Sequence, residues 1–184
     1  MIKRLQWLFG LVISFYLLIP GPKLPPPNLP NGLKSTEPGD TTQISRVSAY
    51  YTNKQRDEIL DFYTSYYSRS RLFNLPLPGF RLNHPPEYAR QIWVNTKQSY
   101  YLEEIVHPLR ESLFVNGFEW EKDVFTPVYA RAQNKMLANG KEWPAKVSLR
   151  WFPSFWLTRL SIFWLSWLGL FFLLSAWRKE LRND

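Results

Sequence analysis

Apolar residues mass at the two ends of this chain and alternate with polar ones in between. The longest run is Ser154 to Trp177 (SFWLTRLSIFWLSWLGLFFLLSAW), in which Arg159 is the one charge. Leu160 to Trp177 alone gives 18 residues, about 27 Å of helix against a hydrocarbon core of roughly 30 Å. The pattern predicts a transmembrane helix over 154–177, followed by a basic tail at 178–184. The other apolar run, Leu5 to Ile19, has 15 residues between a basic MIKR start and Pro20-Gly21-Pro22. That length suits the hydrophobic region of a secretory signal better than a span. No small-residue cleavage site comes after it, so residues 1–20 read as an uncleaved transmembrane signal-anchor, with a cleaved signal peptide as the alternative. Either way, the chain beyond Pro22 is exported.

Residues 21–43 are dense in proline and glycine, including Pro25-Pro26-Pro27. Such a stretch has few backbone donors and favours an extended conformation, which predicts a semi-rigid linker. Ordered signals begin near Ser45, where Val47, Ala49 and Tyr51 alternate with Arg46, Ser48 and Tyr50 as in a half-buried strand. Thr52 to Gln55 then fits a capping box for a helix over about 53–68. Its broad apolar face would carry Ile59, Phe62, Tyr63, Tyr66 and Tyr67. Prolines 76, 78, 85 and 86 confine any strand between 72 and 86 to the periphery. Pro86 suits the first turn of a short helix, with a strand over 91–95 as the alternative.

Beyond Ser99 the pattern is β. Tyr100–Val106 and Glu111–Glu119 flank a His107-Pro108 break, which predicts a hairpin. Asn139-Gly140, the preferred dipeptide of a type I′ turn, predicts a second hairpin between 129–138 and 141–152. Its last strand, 146–152, presents Val147, Leu149 and Trp151 on one face and runs through Pro153-Ser154 into the apolar C-terminal run. The fold class expected is α+β: a small antiparallel sheet with one main amphipathic helix in an extracytoplasmic domain at 44–153, flanked by an N-terminal and a C-terminal transmembrane helix.

Composition strengthens the membrane reading. Five of the nine tryptophans lie between Trp151 and Trp177, and an indole with its apolar body and single N–H suits a bilayer interface. Lys3 and Arg4 precede the first run while Arg178, Lys179 and Arg182 lie just beyond the second. By the positive-inside rule both termini are then cytoplasmic. Lys23, Lys34, Lys146 and Arg150 oppose that orientation but sit in a long segment that translocates largely regardless of charge. The absence of cysteine rules out disulfides, thiolate metal sites and thiol nucleophiles, and the net charge of +8 fits a solvated surface.

Chemistry is less legible. His84 and His107 are each followed by proline, and Glu103 and Glu104 would point to opposite faces of a strand. Asp57 and Asp61 share a helix face that solvent alone explains. Neither a nucleophile elbow nor a phosphate-binding glycine loop nor a paired metal-ligand motif occurs, so no catalytic residue, metal or cofactor is expected. Two sets of residues remain as candidates. Trp151, Trp156, Arg159, Trp164, Trp167 and Trp177 form a candidate membrane or partner interface, and Tyr50, Tyr66, Tyr67, Tyr100 and Trp120 are candidate aromatics for stacking on a ligand. The expected function is a membrane-anchored, non-enzymatic accessory or structural subunit of a cell-envelope complex. Its expected partners are the bilayer and a membrane protein, without nucleic acid. The alternatives are a binding module for envelope glycan or anionic lipid and, behind it, a carboxylate-dependent hydrolase.

Overall fold

The structure is a computed structural model and describes residues 2–40, 45–84, 99–123 and 126–181. The chain divides into two units, one of residues 1–20 with 154–184 and one of residues 21–153.

In the central unit, period-two alternation builds one six-stranded antiparallel sheet. Its strands are β1 (Leu33–Lys34), β2 (Val47–Thr52), β3 (Phe80–Asn83), β4 (Tyr101–Val106), β5 (Ser112–Glu119) and β8 (Ala145–Phe152), in the spatial order β1-β2-β8-β5-β4-β3. Register puts Tyr50, Val147, Gly117 and Tyr101 in one row and Ser48, Leu149, Val115 and Glu103 in the next. These residues face α2 (Arg56–Tyr67), which lays Ile59, Leu60, Tyr63 and Tyr67 on the sheet. The apolar core is there: Tyr50, Tyr63, Tyr67, Tyr101, Val115, Val147 and Leu149 are all at most 1 % exposed. The α+β class and the single main helix are as the sequence predicts, and Val147, Leu149 and Trp151 share the expected face.

Local differences have local causes. The capping box sits three residues later than expected. Gln55 is the N-cap and exchanges hydrogen bonds with Glu58, while the Thr52 hydroxyl accepts from the Lys54 amide at 3.1 Å. β2 is buried on both faces rather than half-buried, because Tyr50 turns into the core while Tyr51 lies under other chain on the opposite side. The Asn139-Gly140 turn forms with both residues at positive φ, 51° and 71°, but its strands are short. β6 (Met136–Ala138) and β7 (Lys141–Trp143) pair separately, since Pro144 interrupts the run into β8 and α3 (Val128–Arg131) replaces the expected upstream strand. The expected helix at Pro86 and the alternative strand at 91–95 lie outside the described residues.

The proline-rich segment does not stand off as a linker. Leu29 is 2 % exposed within the core cluster, Leu24 packs against that cluster, and β1 pairs Leu33 and Lys34 with Tyr51 and Tyr50. Tyr66 Oη donates to the Lys23 carbonyl at 2.6 Å, and Tyr50 Oη to Asn28 Oδ1 at 2.9 Å. A chain poor in donors still offers carbonyls and ring surfaces, and a tyrosine-rich core supplies the hydroxyls and apolar faces that match them.

The second unit consists of α1 (Ile2–Leu18) and α4 (Trp156–Glu180). α4 has 25 residues and is long and apolar enough to cross a membrane. At about 37 Å it exceeds the hydrocarbon core. Among the described residues it is the one helix that is, which corrects the expectation of two flanking transmembrane helices. α1 has 17 residues, about 25 Å, which is short of that thickness. α1 packs on α4 through aromatic contacts: Trp7 with Trp164 at 5.8 Å and Phe9 with Trp167 at 5.2 Å between ring centroids. Gly10 makes room for the Trp164 ring, 3.1 Å from where a β-carbon would stand. Gly10→Leu should separate the pair, read as lost cross-linking between cysteines placed on α1 and α4 with α4 still in the membrane.

Candidate interaction surfaces

The face of the sheet away from α2 carries Val47, Leu102, Phe114, Asn116, Ser148, Arg150 and Phe152 by strict alternation from the core residues. An open cleft of about 330 Å³ runs over it. Phe114 and Phe152 meet edge to face at 5.5 Å, Arg150 lies 5.0 Å over the Phe152 ring, and His84 stacks on Phe114 at 6.0 Å while its Nε2 is 3.1 Å from Glu104 Oε2. Asn116 sits opposite Ser148 in register, and its Oδ1 is buried with no hydrogen-bond partner among the described residues. Apolar rings around a few fixed polar groups are the makeup of a surface that excludes water against a partner.

Further along the same face the cleft gives way to a polar one of about 380 Å³ between Tyr51, Phe118, Lys146, Glu37 and residues 133–137. Lys146 Nζ lies 2.8 Å from Asp40 Oδ2 and 3.1 Å from Glu37 Oε2. Tyr51 and then Lys146 donate to Glu37 and hold its carboxyl below its ordinary value of 4.5. Burial pulls Lys146 down, but Asp40 and Glu37 outweigh it and leave the ammonium above 10.5. A lysine held charged is the opposite of a nucleophilic one, and an acid held ionised is the opposite of a proton donor.

These groups fasten residues 33–40 to β8, and the linkage has a definite sign. The Glu37 contribution is complete above pH 4.5 and lost as pH falls through the lower folded value, whereas that of Lys146 is complete below 10.5 and lost as pH rises through its higher folded value. Hydrogen exchange at the Ser35 amide, which bonds to Ala49 O at 2.9 Å, should therefore quicken outside that window. In Lys146→Met it should be fast throughout.

Three buried carboxylates elsewhere have cationic partners. Glu103, 2 % exposed, faces α2, ion-pairs with Arg56 and lies 4.0 Å from Arg81 Nε. Glu119 pairs with Lys122, and Glu111 with Arg110 at 3.0 Å. As the alternation implies, Glu103 and Glu104 serve opposite faces. Among the described residues there is no cluster of potential metal ligands.

The sequence candidates are dispersed. Tyr50 and Tyr67 are core residues with no exposed ring, which corrects their expectation as stacking platforms: the hydroxyl that makes tyrosine look like surface is here carried by a ring the core needs. Tyr66, Tyr100 and Trp120 are half-buried. Tyr66 is tied to Lys23, Tyr100 leans edge-on against Tyr101, and Lys135 Nζ sits 5.1 Å over Trp120. Trp151 packs against the core cluster. Trp164 and Trp167 are engaged with α1, Arg159 is buried, and Trp156 and Trp177 are exposed at 43 % and 61 %. Phe114, Phe152 and Leu102, which form the open cleft, are not among the sequence candidates. Their signal is present in the alternation of β4, β5 and β8, which leaves Leu102, Phe114 and Phe152 opposite the core positions. Comparison with family models, curated proteins and solved structures finds no match to this chain.

Proposed function

We propose that this chain is a membrane-anchored, non-enzymatic accessory or structural subunit of a cell-envelope complex, held by α4 and contacting a membrane protein through the open face of its extracytoplasmic sheet. The observation that carries this reading is that sheet face, where Leu102, Phe114 and Phe152 line a shallow cleft with Asn116 and Ser148 among them. The cleft occupies the half of the sheet toward Phe152, the residue from which the chain proceeds to α4. A partner lodged in the same membrane can reach that half. In this proposal α1 packs along α4 as a companion helix, and the basic residues after α4 favour a cytoplasmic C-terminus.

Support for catalysis is slight: Glu37 and Glu119, which line clefts, are engaged by Lys146 and Lys122, and Glu37 is shifted away from acid–base use. A glycan-binding reading keeps only Tyr66, Tyr100 and Trp120, each already engaged within the domain.

Isolation from gently solubilised membranes tests the proposal. The chain should co-purify with a partner in fixed ratio. Phe114→Glu should weaken that association about thirtyfold or more, the scale of a central contact residue, while the chain still folds and integrates into the membrane. Recovery of the chain alone and monomeric in every mild detergent would refute it.

A further inference from the structure

We infer that the end of the central unit where its chain enters and leaves is a lipid-binding rim, in which Leu72, Phe73 and Leu109 enter the headgroup layer of the anchoring bilayer and Lys23, Arg69 and Arg71 engage anionic lipid. The inference rests on the proposed anchoring through α4.

Four observations within the central unit bring these residues to one place. β8 leaves the sheet at Phe152, paired with Ser112 at the start of β5, so the β4–β5 turn with Leu109 lies beside the exit. Gly21, the first residue of the unit, adjoins the Glu111 carboxylate in that turn, and its carbonyl accepts from the Arg71 amide at 3.1 Å. His107 Nδ1 faces the Pro78 carbonyl at 2.8 Å, which closes the 68–79 loop onto the same turn. Tyr66, near the end of α2, holds Lys23 there as well. Pro153 is three residues before α4 begins at Trp156, at most about 11 Å of extended chain. If α4 spans the bilayer, this end of the sheet and no other is tethered to the headgroups.

The residues at this end are shaped for such a surface. Phe73 is 86 % exposed and Leu109 67 %, with Leu72 at 41 %. Both loop tips hold their large apolar residue in the left-handed region, Phe73 at φ 51° and Leu109 at φ 59°, where a bulky side chain is strained and a glycine or asparagine would not be. Strain kept in order to expose an apolar side chain marks a functional position rather than a packing one. Lys23, Arg69 and Arg71 are exposed around them, and basic residues beside apolar tips are what an anionic leaflet attracts. Val128, Tyr129 and Leu137 are also exposed and apolar, but they lie past the Glu119–Ala145 pair at the opposite end of the sheet.

The cysteine-free chain allows a direct test. Phe73→Cys, Leu109→Cys and the far-end control Leu137→Cys, each carrying an environment-sensitive fluorophore, are placed by reconstitution of the full chain in vesicles with and without phosphatidylserine. The probes at 73 and 109 should emit to the blue and be quenched by lipids brominated near the headgroup. Phosphatidylserine should strengthen the quenching, and Arg69→Gln with Arg71→Gln should abolish that gain, while the probe at 137 stays water-like. If the chain resists carbonate extraction but all three probes are equally water-exposed, the rim is refuted and the anchor stands. If carbonate extracts the chain, the anchor fails and the rim with it. Blue emission at 73 that lipid charge does not change overturns the anionic part alone.

Discussion

His107→Ala should lower the stability of the central domain by about 3–5 kcal/mol, a large share of the total for a single domain. His107 is 0 % exposed, and its two ring nitrogens face two backbone carbonyls, Nδ1 to Pro78 O and Nε2 to Tyr67 O, each at 2.8 Å. Tyr67 is the last residue of α2, a helix with no basic residue in its last turn and no glycine cap. Its terminal carbonyls are orphans by construction. One is met by the Leu77 amide, which donates to Ser68 O at 2.8 Å, and one by the imidazole delivered from the β4–β5 turn. The ring also stacks on that of Tyr67 at 4.9 Å. Alanine therefore removes a cap, leaves the Tyr67 carbonyl buried without a donor and opens a ring-sized void, three costs of about 1–2 kcal/mol each.

Thermal unfolding followed by tryptophan emission should drop by roughly ten degrees in the alanine variant. A drop of a degree or two would mean that water replaces the ring and that the 68–79 loop is not fastened through it.

What the sequence discloses and what it hides divide along the range of the interactions involved. β8, α2, the Asn139-Gly140 turn and the apolar length of α4 are written in windows of a few residues, by alternation, helical spacing, a demand for positive φ, and run length. The role of Leu29 is not. Nothing within ten residues of Pro25-Pro26-Pro27 indicates that this segment covers α2, because the contacts that hold it come from Tyr50, Tyr63 and Tyr66 more than 20 positions away. His107 is hidden for the same reason: beside a proline it reads as a turn residue, and its purpose depends on Tyr67 and Pro78. The Trp164 and Trp167 face is legible as a helix-packing surface, but its partner, α1 of the same chain, is not, since spacing on one helix does not name the other. The open cleft is legible as a face, and only the position of α2 decides which of the two faces stays uncovered.

Gly117→Ala should be the most damaging single-methyl change in the chain, at about 3 kcal/mol or more. Gly117 pairs across the sheet with Tyr101, and a β-carbon there would overlap the tyrosine ring itself. Overpacking a core ordinarily costs about 1–3 kcal/mol, but here the ring has nowhere to go. Tyr101 is 1 % exposed, with the Arg56 guanidinium 4.9 Å over its face, and Arg56 in turn neutralises the buried Glu103. Moving the ring displaces the arginine, and a buried carboxylate that loses its partner costs about 3–5 kcal/mol by itself. The absence of a side chain at 117 thus sets the position of a charge two strand positions from Tyr101, on the same face of β4. A double-mutant cycle isolates the effect: Tyr101→Leu, which gives up the ring, should make Gly117→Ala nearly harmless, with a coupling of about 3 kcal/mol, the upper end for residues in contact. Additive losses in thermal unfolding would show instead that the sheet relaxes around the methyl and that Arg56 and Glu103 keep their pairing without the ring above them.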